Sequence, residues 1–301
     1  MRREIRLNCG GYKYEMHQIK KTGMPKRIVT TTSVFEPGYP AIKAADRLAS
    51  IGFEALDMAL DYWTEPGSPF MGDGYRKWAC DIREHAEKTG VPYTHSHAPS
   101  EAGNDPTVER AIETAGILGA GYIVVHPVCR ENGEIIETAE QFIRVNAEAY
   151  VACIEAAEKH GVVVLSENLL WGASKDPRII SELVKELKSP YFGWCFDTGH
   201  ANCFGILPSV LRECACAPQS LHIQDNNGAG MDEHLIPGDG TVDWNSVVEN
   251  LKAVGYTGDC VLESHHQSLE APDNERDAIL SRLLTSARRL REQMEKDVSG
   301  L

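Results

Sequence analysis

The sequence predicts an α/β protein: a closed (β/α)8 barrel in a single domain, preceded by a basic extension. Three observations predict it. Short apolar, strand-like runs alternate with amphipathic helical stretches from residue 28 to about 290, as βα units around a parallel sheet do. The count comes to eight of each, which a closed barrel requires. Five of the strand-like runs end on His, Asp or Glu just as their apolar character gives out. Such residues meet only in a fold that gathers the carboxyl ends of many strands.

Taken in order, the first strand is expected at 28–33 with its helix at 40–51, closed by Gly52. The second strand, 53–58, leads through a long loop (61–72) to a helix at 73–89 and Gly90. The third, 92–96, is followed by a helix at 105–119. Gly121 is the expected cap there and opens the fourth strand, 121–126. A helix at 137–160, closed by Gly161, precedes the fifth strand, 162–166, and a helix at 175–188. The sixth strand, 191–196, is expected to lead to a helix at 205–215. The seventh, 219–224, precedes a long loop (225–242) and a helix at 243–254, capped by Asp243 and closed by Gly255. The eighth, 258–263, is followed by a final helix at 274–296. Glycine recurs at these helix ends because it enters the left-handed conformation without steric cost. The long loops lie on the carboxyl side of their strands, where substrate contacts usually arise.

Composition narrows the function classes. The chain has 301 residues, 42% of them hydrophobic and 25% charged, enough for one large core and ordinary for a soluble domain. No run approaches a membrane span. Residues 1–27 carry eight Lys or Arg against two acids and lack the apolar stretch of a secretory signal. They are expected to lie outside a barrel at 28–301, as a loose segment or as an arm packed on a neighbour. The formal net charge is −14, and the remainder is more acidic still, which disfavours a phosphate backbone as partner. The nine cysteines are scattered and several sit in apolar runs, so free thiols and a cytoplasmic, reducing location are expected.

The chemistry is expected at the strand ends. Glu167, Asp197, His222 and Glu263 lie at or near the carboxyl ends of four consecutive predicted strands. Mixed carboxylate and imidazole ligands suit Mn²⁺, Zn²⁺, Co²⁺ or Fe²⁺, and at least one ion is expected. His200, three residues after Asp197, is a further ligand or a substrate contact. His97 and His126 end the third and fourth strands and could form a second metal site sharing Glu167, or hold substrate hydroxyls. His95 shares a face with His97, because the pleat has a period of two. Asp232 and His234, in the long loop after the seventh strand, could ligate another ion or touch substrate. Trp63 and Trp171, with Phe35, are candidates for an apolar wall over a sugar face, whereas Trp194 is expected in the core. No nucleophile elbow, P-loop or dinucleotide fingerprint is present.

Asp197-Thr-Gly-His200, His222-Ile-Gln-Asp225 and the stretch from Pro237-Gly-Asp-Gly240 to Trp244 together resemble the xylose isomerase-like TIM-barrel superfamily, over roughly residues 28–270. That superfamily holds sugar isomerases and epimerases, and also the endonuclease IV-type AP endonucleases. Similarity to its ketose 3-epimerases implies one divalent ion on Glu167, Asp197, His222 and Glu263. It implies too that Glu167 and Glu263 flank the substrate carbon as acid and base, moving a proton through a metal-stabilised enediolate. Similarity to endonuclease IV instead implies three zinc ions on His97, His126, Glu167, Asp197, His200, His222, Asp232, His234 and Glu263. Against that branch stand the acidic chain and Ser166-Glu-Asn-Leu-Leu-Trp171, which departs from its Glu-Asn-Thr-Ala-Gly pattern. Asp232-Glu-His234 departs in turn from epimerases with a substrate-holding arginine there. The expected function is therefore a metal-dependent sugar or sugar-phosphate isomerase or epimerase, with a small-molecule sugar as partner and a homo-oligomer as a common state of the superfamily. The alternatives are a zinc phosphodiesterase on abasic DNA and a barrel that binds a sugar or polyol without turnover.

Overall fold

The computed structural model describes residues 26–296, together with the backbone of 8–9 and 12–13, which pair as a short antiparallel ribbon. Most of the 1–27 extension thus lies outside the described residues. Its last two tie the chain to the amino end of the barrel. Arg27 grips Asp259 through Nε (3.1 Å) and Nη2 (2.7 Å), and Lys26 Nζ donates to the Tyr256 carbonyl at 2.8 Å.

Eight parallel strands form the barrel: β1 (Ile28–Thr31), β2 (Ala55–Ala59), β3 (Tyr93–Glu101), β4 (Tyr122–His126), β5 (Val163–Glu167), β6 (Phe192–Asp197), β7 (Ser220–His222) and β8 (Cys260–Leu262). Each pairs with its neighbour in sequence, and β8 returns to β1. The ring closes through a parallel bridge between Ile223 and Leu262, where Ile223 N donates to Val261 O (2.8 Å) and Glu263 N to Ile223 O (3.1 Å). Around it lie α1 (Ala41–Ile51), α2 (Tyr75–Thr89), α3 (Pro106–Leu118), α4 (Ala139–His160), α5 (Pro177–Leu187), α6 (Thr198–Cys203), α7 (Trp244–Ala253), α8 (His266–Glu270) and α9 (Asp273–Glu295). Among the described residues no helix is long and apolar enough to cross a membrane.

The period of two sorts the strands into layers. Ile28, Leu56, Ile123, Val164, Trp194, Leu221 and Leu262 belong to the large core shared with the helices. Their neighbours form small separate clusters inside the ring, Val29 with Ala55 and Val261, and Val124 with Leu165 and Cys195. Two residues further along, the same faces carry Thr31, Asp57, His126, Glu167, Asp197 and Glu263. The carboxyl-end layer is thus polar by register.

Four expectations need correction. No α-helix forms over 205–215. Asp197 is both the last residue of β6 and the cap of α6, its carboxylate accepting from His200 N at 2.6 Å, so the helix starts without a loop. Pro208, which has no N–H and holds Leu207 extended, then leaves only a 3₁₀ turn over Pro208–Glu213. The left-handed cap after α3 is Gly119 (φ 88°), not Gly121. A hairpin that the periodicity did not suggest, Arg130–Glu131 with Glu134–Ile135, turns on Asn132 and Gly133, both at positive φ. Seven cysteines are free thiols as expected, but Cys80 on α2 is disulfide-bonded.

The loop after β7 is organised by Asp225, which is fully buried. Its carboxylate accepts from the backbone N–H of Asn226 (2.9 Å), Gly238 (2.8 Å) and Val242 (3.1 Å), and from Trp244 Nε1 (2.9 Å). Its backbone exchanges both hydrogen bonds with Leu235. This one side chain explains the Pro-Gly-Asp-Gly and Trp244 spacing, and it holds Asp232 and His234 over the barrel mouth. Asp225→Ala strands several buried donors, and a loss on the order of 3 kcal/mol is expected. It is read as a lowered Tm, with Trp244→Phe losing only about 1 kcal/mol.

Candidate metal centre

Nine side chains from the strand ends and the β7 loop converge in three groups, each able to offer one ligand atom per residue to a common point: Glu167, Asp197, His222 and Glu263; His97, His126 and Glu167; and His200, Asp232 and His234. Every candidate ligand named from the sequence falls in one of them, and Glu167 belongs to two. In the first group His222 Nδ1 lies 2.8 Å from Glu167 Oε1 and 3.2 Å from Glu263 Oε2. In the second, His97 Nε2 and His126 Nε2 face each other at 3.1 Å, with Glu167 Oε2 at 3.9 and 3.4 Å from them. In the third, Asp232 Oδ2 lies 3.3 Å from His200 Nε2 and 3.1 Å from His234 Nε2.

The rings are aimed by backbone carbonyls. His97 Nδ1 donates to Ala98 O (2.9 Å), His200 Nδ1 to Asn168 O (2.8 Å) and His234 Nδ1 to Glu263 O (2.8 Å). A carbonyl only accepts, so the neutral ring carries its proton on Nδ1 and turns the Nε2 lone pair to the centre, as metal-binding histidines are commonly held. Asn168 also joins β5 to β6, accepting from Asp197 N (2.8 Å) and donating to Asp197 O (3.0 Å). Gln224 Nε2 donates to Asp232 Oδ1 (2.7 Å) and reaches Asp197 Oδ1 (3.3 Å). It can lie there because residue 199 is glycine; a Cβ would overlap the Gln224 amide. Within the Asp-Thr-Gly-His motif, Thr198 Oγ1 donates to the Gln224 carbonyl at 2.9 Å.

The residues fit a cation. Glu167 is 1% and Asp197 0% exposed, yet Glu167 Oε2 and Asp197 Oδ2 have no hydrogen-bond partner among the described residues. Buried anionic oxygens left this way carry a large desolvation cost that a bound ion would offset. The titration pattern shows the same crowding. Burial pushes Glu167 up, but the charge of His222 and the nearby His126 and His97 hold it well below the usual range. Glu263 is likewise held down against burial by His222. Asp197 is pushed up to about 7, by burial first and then by Glu167 and Glu263, with His200 opposing. Burial lowers His97 and His234, but Glu167 and Asp232 respectively outweigh it and raise each to about 9. His126 is lowered by burial and by the charge of His97.

Above the groups opens a cavity of ≈ 260 Å³, lined by His97, His126, Glu167, His200, Asp232, His234 and Glu263 on the polar side and by Leu169, Leu170 and Trp171 on the apolar side. Trp171 is 47% exposed at its rim. Trp63 does not line it. That residue is buried against Trp78, ring centroids 5.1 Å apart, because the 3₁₀ turn after β2 directs Tyr62 to the cavity instead. Phe35 stacks on Tyr39 at 4.4 Å, and Trp194 is core. His95 points into the barrel one layer below His97, stacked on Tyr122, and burial lowers it to about 4. Asp61, Tyr62 and His265 line the cavity and were missed from the sequence. The signal for His265 was available, since it stands two residues after Glu263 at a strand end. Among the described lining residues none is Lys or Arg.

Comparison with known proteins agrees with the geometry. A family model described as xylose isomerase-like TIM barrel matches residues 45–287. An uncharacterized protein of Methanocaldococcus jannaschii is 28% identical over 257 residues, spanning 79% of this chain and 80% of its own. A D-psicose 3-epimerase of Enterocloster bolteae is 22% identical over 244 residues, spanning 73% of this chain and 75% of its own. The solved structure of the IolI protein with a bound zinc atom shares the fold, with TM-score 0.67 and 15% identity over 91% of this chain and 99% of that one.

Divalent-metal affinity is expected to rise with pH up to about 9, because His97 and His234 are protonated below that value and must lose the proton before Nε2 can bind. Calorimetry in buffers of different ionisation enthalpy should show proton release on binding that shrinks as the pH approaches 9. In the metal-free protein the sign is the ordinary one for raised histidines. Their contribution to stability is fully present below about 6.5 and is lost as the pH rises through about 9.

Proposed function

We propose, from the fact that the chain belongs to the xylose isomerase-like TIM-barrel family, that it is a divalent-metal-dependent sugar isomerase or epimerase. The reaction moves a proton at the carbon beside a carbonyl. The pairing of Glu167 with Glu263 carries the reading. They come from the ends of β5 and β8, three strands apart around the ring, yet both carboxylates reach His222 Nδ1, at 2.8 and 3.2 Å. Two carboxylates meeting from different sides of the mouth can serve the two faces of one substrate carbon.

Glu167, Asp197, His222 and Glu263 would hold the ion, and Mn²⁺, Zn²⁺, Co²⁺ or Fe²⁺ suits that donor set. When bound it supplies Lewis-acid stabilisation of the negative charge that develops on the carbonyl oxygen. One glutamate takes the proton from one face of the carbon, and the other returns a proton from the opposite face, giving epimerisation. Return to the neighbouring carbon gives isomerisation. The cavity lies just below the range of about 300–1,000 Å³ typical of small-molecule sites and suits a compact substrate. Leu169, Leu170 and Trp171 offer an apolar wall for the face of a sugar and exclude water beside the reacting carbon. The epimerase among the relatives supports the same chemistry.

A second reading, phosphodiester cleavage at three ions, is favoured by one observation: the nine candidate ligands sort into three groups. The absence of Lys and Arg among the described lining residues weighs against an anionic polymer there.

The test is solvent exchange. Metal-loaded protein is incubated with a ketose panel in D₂O, and deuterium at the carbon next to the carbonyl is followed by NMR. Exchange is expected, and Glu263→Gln should slow it by about 10²–10⁴-fold. Absence of exchange across the panel, together with nicking of an abasic duplex, would replace this reading with the second.

A further inference from the structure

The Glu263 carbonyl carries two imidazoles. His234 Nδ1 donates to it at 2.8 Å and His265 Nδ1 at 3.1 Å. The rings lie against each other, centroids 4.3 Å apart and tilted by 36°. Because the shared partner only accepts, each neutral ring carries its proton on Nδ1 and presents a lone pair at Nε2. From there the two differ. His234 Nε2 turns to Asp232 Oδ2 at 3.1 Å. His265 belongs to none of the three ligand groups, its Nε2 has no hydrogen bond to a described residue, and its side chain lines the cavity beside Glu263. Its backbone is fixed, since the His265 carbonyl starts α8 by accepting from Ser268 N and Leu269 N, both at 3.1 Å.

We infer that His265 is a substrate-binding residue whose Nε2 accepts a hydrogen bond from a hydroxyl of an uncharged polyhydroxylated ligand. The inference rests on the isomerase reading and adds to it the residue that fixes substrate orientation on the β8 wall. The donor–acceptor balance selects the ligand. Asp61, Asp232 and Glu263 accept only when ionised, and His265 adds a neutral acceptor. Thr31, Ser33 and Tyr62 contribute hydroxyls that both give and take. A ligand rich in O–H donors satisfies this wall. A phosphate or carboxylate group on this wall would set acceptor against acceptor, with no Lys or Arg among the described lining residues to receive it.

Two measurements test it. In the first, Mn²⁺-loaded wild type, His265→Phe and His265→Gln are titrated calorimetrically with D-fructose, D-tagatose, D-psicose and D-sorbitol, and exchange kinetics are recorded with the ketoses. His265→Phe should weaken binding and raise KM by about 10-fold with kcat little changed, the pattern of lost uniform binding. His265→Gln keeps an acceptor oxygen and should recover most of the loss, while metal content and Tm stay at wild-type values in both. A His265→Phe protein that binds and turns over as wild type overturns the inference and leaves the isomerase reading standing. The second measurement needs no sugar: ¹⁵N NMR of the His265 ring in the resting protein. The Nδ1–H tautomer is expected, and an Nε2–H tautomer overturns the acceptor role. A wild type with the expected tautomer that neither binds nor exchanges any of the sugars sinks the isomerase reading and this inference with it.

Discussion

The mouth of the barrel is built around one buried carboxylate. Glu167 is almost fully withdrawn from water and still ionised, which a protein interior tolerates only when opposite charge is brought to it. His222, His126, His200 and His97 surround it, each with a ring nitrogen within 3.9 Å of a Glu167 oxygen, and the charge of His222 does most to hold it ionised. They come from β3, β4, α6 and β7, so the requirement fixes how the carboxyl ends of half the barrel meet. Removing Glu167 would leave four crowded imidazoles without their common counter-charge. The centre is thus a single electrostatic unit, and its three groups are not independent.

Two structural devices make that unit rigid. Strand register places the candidate ligands in adjoining tiers: Asp197 pairs with His222, and Glu167 pairs with Cys195, two residues before Asp197. Outside the ladder, main-chain carbonyls do the aiming. Ala98, Asn168 and Glu263 each take an Nδ1 proton and thereby choose which nitrogen of His97, His200 and His234 faces inward. Asp232 and His234 come from a loop, where precision is harder to achieve. There the Asp225 carboxylate replaces the missing ladder with four hydrogen bonds of its own.

The barrel, and the convergence of the candidate ligands at its mouth, were legible in the sequence because both follow from local rules. Period-two apolar runs give strands, glycine marks helix ends, and a His, Asp or Glu closing a strand points to the barrel mouth. What was not legible depended on competition between such rules. Over 205–215 the apolar pattern suggested a helix, but Asp197 capped one earlier and Pro208 forbade the continuation. Asn132-Gly133 is a plain hairpin signal, overlooked inside a long connection. Trp63 and Tyr62 are neighbours in a 3₁₀ turn, and only packing against Trp78 decides which of them faces the cavity. The place of His265 at a strand end was visible, but its role depends on a carbonyl and an adjacent ring, neither of which has a sequence signature.

The charge balance of the mouth links ion number to substrate class. The three groups contain four carboxylates, Glu167, Asp197, Asp232 and Glu263, and Asp61 stands at the cavity wall. With neutral imidazoles, one divalent ion leaves these acids in excess, and the site repels anions while accepting a neutral polyol. Three divalent ions outweigh them, and the same residues then attract a phosphodiester. The protein part of the site is common to both outcomes. What distinguishes them is whether the outer groups hold ions or protons. His97 and His234 are raised to about 9, by Glu167 and Asp232 respectively against burial, which favours protons at those positions in the neutral range without metal. A cation must displace a proton to enter any of the three groups, because at the inner one burial lowers His222 but the charges around it, Glu167 and Glu263 among them, outweigh burial and raise it well above its ordinary value.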